Sequence, residues 1–176
     1  MYDELMTDEV RKRVDAAVAE DPNVLPSTLA EKIGVAEGVV AACLPVDMCV
    51  AASAEAFEDV WTAMTRWEKV MFLAVTPGAI VEVKGRLPRG HFGHGFFNIG
   101  AGDNPLAGHL MIDRLRAICF VSKPIMGMES HSVRFYDKQG ALMFAVHVAR
   151  EGRTLIPSVL DGFMSLRDRF RKEAAA

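Results

Sequence analysis

Thr76-Pro77-Gly78-Ala79-Ile80-Val81-Glu82-Val83-Lys84-Gly85-Arg86-Leu87 is where the rhythm of the chain changes. Before it, apolar residues recur every three to four positions. From Thr76 they alternate. Ile80, Glu82, Lys84 and Arg86 share one side, and Ala79, Val81, Val83, Gly85 and Leu87 share the other. A period of two predicts a strand over 79–87. Pro88-Arg89-Gly90 then reads as a turn, 91–99 as a second strand, 100–105 (Gly-Ala-Gly-Asp-Asn-Pro) as a loop and 110–121 as a long strand. Residues 132–136 and 141–148 flank Asp137-Lys138-Gln139-Gly140, a hairpin loop with glycine near its end.

Upstream, residues 1–75 read as helices. Val10, Val14, Ala17 and Val18 form one apolar stripe, which Asp21-Pro22 stops. Residues 28–33 make a short helix ended by Gly34, and 36–43 a third ended before Pro45. Ser53 opens a fourth that carries Phe57, Val60, Trp61, Met64 and Trp67 on one face. At the other end, Ser158 is placed to cap a last helix with Val159, Leu160, Phe163, Leu166 and Phe170 on its stripe. Helices, then hairpin-linked strands, then a helix define an α+β fold with an antiparallel sheet. The 176 residues fit one domain, 1–176, divided into a helical part (1–75), a sheet (76–156) and a C-terminal helix (157–176).

Composition excludes several classes. With 51% hydrophobic and 24% charged residues the chain is neither disordered nor fibrous. The acidic N-terminus lacks a signal peptide's basic start, and no apolar run reaches the ~18 residues of a spanning helix, so a cytoplasmic protein with no membrane insertion is expected. The three cysteines, Cys43, Cys49 and Cys119, lie among apolar neighbours and are read as reduced core thiols. Residues 1–75 carry 14 Asp and Glu against 6 Lys and Arg, whereas residues 76–176 carry 9 against 14. Any anionic ligand therefore belongs with the second half. Thr28–Val40 has the spacing of a helix-turn-helix, but its second helix holds Glu37 and no cation, so nucleic acid is not expected as a partner.

The five histidines, His91, His94, His109, His131 and His147, form no zinc motif. No phosphate loop, nucleophile elbow, flavin or nicotinamide motif is present. Residues 90–128 stand out instead. They combine His91, His94 and His109 with Phe92, Phe96, Phe97, Phe120, Met126 and Met128, and with Arg114, Arg116 and Lys123. Aromatic walls, an imidazole for a central metal and cations for carboxylates suit a flat, apolar dianion. The same Phe and Met residues also suit an ordinary sheet core.

These residues carry a resemblance to a known family. Leu29-Ala30-Glu31-Lys32-Ile33-Gly34-Val35, Leu44-Pro45, Phe57-Glu58-Asp59-Val60-Trp61, Gly85-Arg86-Leu87-Pro88-Arg89-Gly90, His94-Gly95-Phe96-Phe97-Asn98-Ile99, Gly108-His109-Leu110 and 120–132 occur in the order seen in the ChuX/HutX family of heme-utilisation carriers, which the chain resembles over nearly its whole length. The resemblance implies a cytosolic, non-enzymatic protein that binds heme b after uptake and passes it to an acceptor such as a heme-degrading protein. It implies a homodimer, and a fold like one half of the duplicated heme-degradation proteins. It makes His109 the candidate iron ligand, with His94, Phe96, Arg114, Arg116, Lys123 and Met126 around the heme. Two departures reduce the axial set: the family commonly has Tyr where this chain has Phe96, and some members have His where this chain has Val75-Thr76. A second ligand then falls to His94, a partner subunit or water. Two other readings follow from the same residues: a heme-degrading enzyme fed by an external electron donor, and a regulatory module without heme.

Overall fold

The computed structural model of the chain describes residues 2–100 and 102–174. The Thr7 hydroxyl accepts from the Val10 N–H and so caps α1 (Asp8–Glu20), whose buried residues are Val14 and Val18. Helix α2 (Pro26–Ile33) opens on a proline, which needs no N–H partner there, and ends at Gly34 in the left-handed region. Helix α3 (Glu37–Cys43) follows, and the three pack together.

The helical reading of residues 1–75 then needs correction. Strand β1 (Cys49–Ser53) precedes a single 3-10 turn and helix α4 (Phe57–Met64), and strand β2 (Val70–Thr76) follows. Both strands are short runs of small or apolar residues, buried on both faces in part, and such runs show no period of their own. Helix α4 also stops at Met64, so Trp67 is buried from the turn beyond it. Strand β3 (Ala79–Gly85) pairs with β2 as a hairpin. The strand expected over 91–99 is two strands, β4 (Gly90–Gly93) and β5 (Phe96–Ile99), because His94 and Gly95 turn the chain back. The strand expected over 110–121 is likewise divided. Strand β6 (Gly108–Leu110) ends at a 3-10 turn, and β7 (Leu115–Ser122) starts again in a different sheet.

Strands β8 (His131–Asp137) and β9 (Leu142–Val148) form the expected hairpin. A two-residue ladder of β10 (Arg150–Glu151) and β11 (Thr154–Leu155) leads to helix α5 (Pro157–Ala174). Pro157, not Ser158, starts that helix, and the Ser158 hydroxyl donates to the Glu68 carboxylate.

The main sheet runs β1-β7-β8-β9-β2-β3, antiparallel throughout, and β4-β5-β6 make a second, smaller sheet. Alternation along each strand separates two cores. Ile118, Phe120, Val133, Phe135, Phe144 and Val146 face α4, α5 and the small sheet. Cys49, Ala117, Cys119, Val121 and Tyr136 face α1, α2 and α3. The three helices cover β1, β7 and β8, and over β9, β2 and β3 the same face is an open groove. Glu37 of α3 is held at 2.6 Å by the Arg134 guanidinium and at 3.0 Å by the Tyr136 hydroxyl, which ties the helices to β8. All three cysteines are buried and free, and burial pushes the Cys43 thiol up. Among the described residues no helix is long and apolar enough to cross a membrane.

Candidate functional site

The small sheet presents the candidate site. His94 (φ 53°) and Gly95 (φ 83°) are both left-handed, which is the geometry of a type I′ two-residue hairpin turn. His94 therefore shapes the turn, with its ring exposed. Gly90 leaves room for Phe97, since a Cβ there would lie 2.2 Å from the ring. Phe97 enters the core edge-on to Phe57, with ring centroids 4.9 Å apart. The Trp61 indole donates to the Pro88 carbonyl at 3.0 Å and pins the segment that leads in.

With Phe97 and Ile99 inward, Phe96 and Asn98 point outward. The register sets His91, Asn98 and His109 side by side on that outer face. The Asn98 Nδ2 donates to the Gly93 carbonyl at 3.0 Å, and its Oδ1 lies 2.6 Å from His109 Nδ1. A flipped amide would set its oxygen against the Gly93 carbonyl, so the carboxamide orientation is fixed by chemistry. Nδ1 of His109 must then carry a proton, which in the neutral ring makes Nε2 the nitrogen with the lone pair. Such an outer hydrogen bond is what orients a metal-ligating imidazole. Phe96 lies beside it, with ring centroids 5.6 Å apart, and Met111 two residues on is 45% exposed.

No group of three or more His, Cys, Asp or Glu able to hold a bare metal ion occurs among the described residues. One oriented imidazole on an apolar rim instead suits an iron whose other ligands come from a macrocycle.

The remaining sequence candidates are spread along β7. Arg114 lies in the turn after β6, and Arg116 is exposed near the start of β7. Lys123 and Met126 follow its other end. Arg116 and Lys123 are seven residues apart, roughly 23 Å of strand. Lys123 is 4% exposed and donates its ammonium hydrogens to the Pro22 carbonyl, and burial lowers its pKa. Met126 is 85% exposed in the loop between β7 and β8. The structure thus brings His109 and Phe96 together, leaves His94 at the hairpin turn, and separates Lys123 and Met126 from them. Sequence reasoning missed Asn98. The signal was an asparagine in a strand between Phe97 and Ile99, a position such residues seldom take without a local partner.

His147 was passed over as well. It lies on β9 opposite Met71 and faces the groove over β9, β2 and β3, whose volume is about 750 Å³. Burial, with the nearby Arg134 charge, lowers its pKa to about 4.

Fold and site together define a ligand-binding α+β protein whose small sheet holds a single oriented imidazole. The chain belongs to the Haem utilisation ChuX/HutX family, whose model matches residues 50–166. It is 28% identical over 166 residues, 94% of this chain and 86% of the relative, to the Intracellular heme transport protein HutX of Vibrio cholerae serotype O1. The solved structure of a protein from Agrobacterium tumefaciens is 36% identical with a TM-score of 0.83, covering 93% of each chain. Holo-PhuS, a heme-binding protein from Pseudomonas aeruginosa, is similar in fold only: at 17% identity and a TM-score of 0.73, the match covers 89% of this chain and 47% of PhuS. The fold is thus one half of that longer architecture, as the resemblance implied.

Proposed function

We propose that this chain is an intracellular, non-enzymatic heme carrier that binds heme b on the outer face of the small sheet and hands it on. The observation that carries this is the 2.6 Å contact between Asn98 Oδ1 and His109 Nδ1, which leaves Nε2 for iron. Membership of the ChuX/HutX family and the similarity to a heme transport protein support it. Phe96 and Met111 give the macrocycle an apolar surface, and Arg114, in the turn that follows β6, is placed to meet a propionate. Arg116 is a more distant candidate for the second. Phe96 supplies no oxygen ligand, so His94, water or a partner subunit completes the iron. Residues 1–176 act as one unit, in the cytoplasm, as a homodimer that delivers heme to a heme-degrading acceptor.

The test is a titration of ferric heme followed at the Soret band and by resonance Raman, with His109→Ala beside the parent. A histidine-ligated spectrum lost in the variant supports the reading. An unchanged spectrum and affinity overturn the role of His109. Conversion of bound heme to a biliverdin-like product under reductant, insensitive to catalase, would identify a heme-degrading enzyme instead.

A further inference from the structure

A chain of side-chain hydrogen bonds lies at one end of the main sheet. Ser122 closes β7 and His131 opens β8, and the register sets them opposite each other. Ile118 and Phe120 face α5, so Ser122 two residues on takes the same side. The Ser122 Oγ lies 2.9 Å from His131 Nδ1, and the Glu129 Oε1 lies 2.9 Å from His131 Nε2. A carboxylate only accepts, so in the neutral ring Nε2 carries the proton and Nδ1 accepts from the Ser122 hydroxyl. Hydroxyl, imidazole and carboxylate in this order make an activated nucleophile, with the base in reach and a third group orienting it. None of the three lies on β4, β5 or β6, so the row is separate from the His109 face.

The surroundings suit the same chemistry. The Phe163 ring of α5 packs on the imidazole, with ring centroids 5.2 Å apart, and the His131 side chain is only 8% exposed. Ser122 is half-buried, and Glu129 stands at the surface. The base is thus fixed in an apolar seat while the hydroxyl keeps a path to solvent. One helical turn after Phe163, Arg167 is 5% exposed and has no ion pair among the described residues. Its guanidinium donates to the carbonyls of Val46 and Asp47, and the next carbonyl along, that of Met48, accepts the Ser122 N–H at 2.7 Å. The Arg167 Nε is buried and meets no acceptor. Buried donors are seldom left open, and an uncommitted cationic donor at the same end of the sheet as a nucleophile is what a developing oxyanion needs.

We propose that this end of the sheet hydrolyses small carboxylic esters, with Ser122 as nucleophile, His131 as general base, Glu129 as the positioning residue and Arg167 as the oxyanion donor. The Ser122 Oγ bonds to the acyl carbon while its proton passes to His131 Nδ1. The bond from that carbon to the alcohol oxygen breaks, and His131 returns the proton to the departing alcohol. Water then attacks the acyl-serine, giving its proton to Nδ1, and the acid leaves as the proton returns to Ser122. Ester and water become acid and alcohol, with no change of oxidation state. The activity is additional to heme carriage and leaves heme unreacted.

The test follows p-nitrophenolate release from p-nitrophenyl acetate by the heme-free chain. The folded parent should turn over with saturation, and Ser122→Ala should lose about 100-fold, falling to the rate of the urea-unfolded chain, whose histidines set the background. Diisopropyl fluorophosphate should label Ser122, as read by mass spectrometry, and should fail to label it in His131→Gln. Glu129→Gln, at an exposed side chain, guards against loss of fold: with native circular dichroism it should lower kcat and move the pH–rate profile. Arg167→Lys keeps the charge but removes the open Nε–H, and should lower kcat with KM held. A parent no faster than the unfolded chain, a Ser122→Ala rate equal to the parent's, or no label on Ser122 overturns the proposal. The row then serves only to satisfy a buried histidine, and the carrier reading stands.

Discussion

Across the β5–β6 ladder, the Asn98 carboxamide oxygen lies 2.6 Å from the His109 Nδ1, while the amide nitrogen of the same side chain is held by the Gly93 carbonyl. One side chain thus reads the turn of the hairpin and transmits it to the imidazole. Removing this contact frees the ring to rotate and to exchange tautomers. Asn98→Leu is expected to weaken heme binding by about 10–100-fold, the usual cost of losing such a contact. Asn98→Asp keeps the acceptor for His109 but sets an oxygen against the Gly93 carbonyl, so it recovers only part of the loss. A Soret titration decides the matter, and an affinity for Asn98→Leu within twofold of the parent would count against the assignment.

Glu37 and Arg134 are both largely buried, with 14% and 9% of their side chains exposed. Glu37→Ala strands the guanidinium without a counter-charge, and its expected cost is about 3–5 kcal/mol in urea unfolding. The double replacement Glu37→Leu/Arg134→Met removes both charges and recovers much of that loss. A cost below 1 kcal/mol for Glu37→Ala would show that water reaches the pair.

His147 makes the stability of the heme-free protein depend on pH. Its folded pKa, about 4, lies below the ordinary value of 6.5. Between those values the unfolded chain binds the proton and the folded chain does not, so stability falls as pH drops from 6.5 towards 4. The expected loss from this group is on the order of 3 kcal/mol. Urea midpoints measured at several pH values, beside His147→Phe, isolate it, since the variant should lose that part of the slope.

Gly90 gives the small sheet its seat. A methyl group there meets the Phe97 ring at 2.2 Å, so Gly90→Ala must displace the ring or the strand. Overpacking of this kind costs about 1–3 kcal/mol. Thermal unfolding should register the loss, and heme affinity should fall with it because His109 rides on the same sheet. A variant with the parent's melting temperature and affinity would show that Phe97 has room to move.

The sequence made the α+β class and the β8–β9 hairpin legible, because Asp137-Lys138-Gln139-Gly140 and the alternation on either side are local signals. It hid β1 and β2. Cys49-Val50-Ala51-Ala52-Ser53 gains its strand character only from pairing with β7, some 70 residues later. His109 was legible through Gly108-His109-Leu110, but its partner was not, because Asn98 meets it only through strand register. The proposed ring of cations was misread for the same reason. Arg116 and Lys123 are close in sequence, yet an extended strand carries them to opposite ends of the sheet.

The strand order also sets a timetable for synthesis. Helices α1, α2 and α3 close their core against β7 and β8, and β1 pairs with β7. A ribosome adding about 5–20 residues each second needs roughly five to twenty seconds to travel from Cys49 to Asp137. For that interval the β2–β3 hairpin can form locally, but the apolar faces of the first three helices stay open to solvent. Protection of those helix faces is therefore needed until the β8 strand emerges.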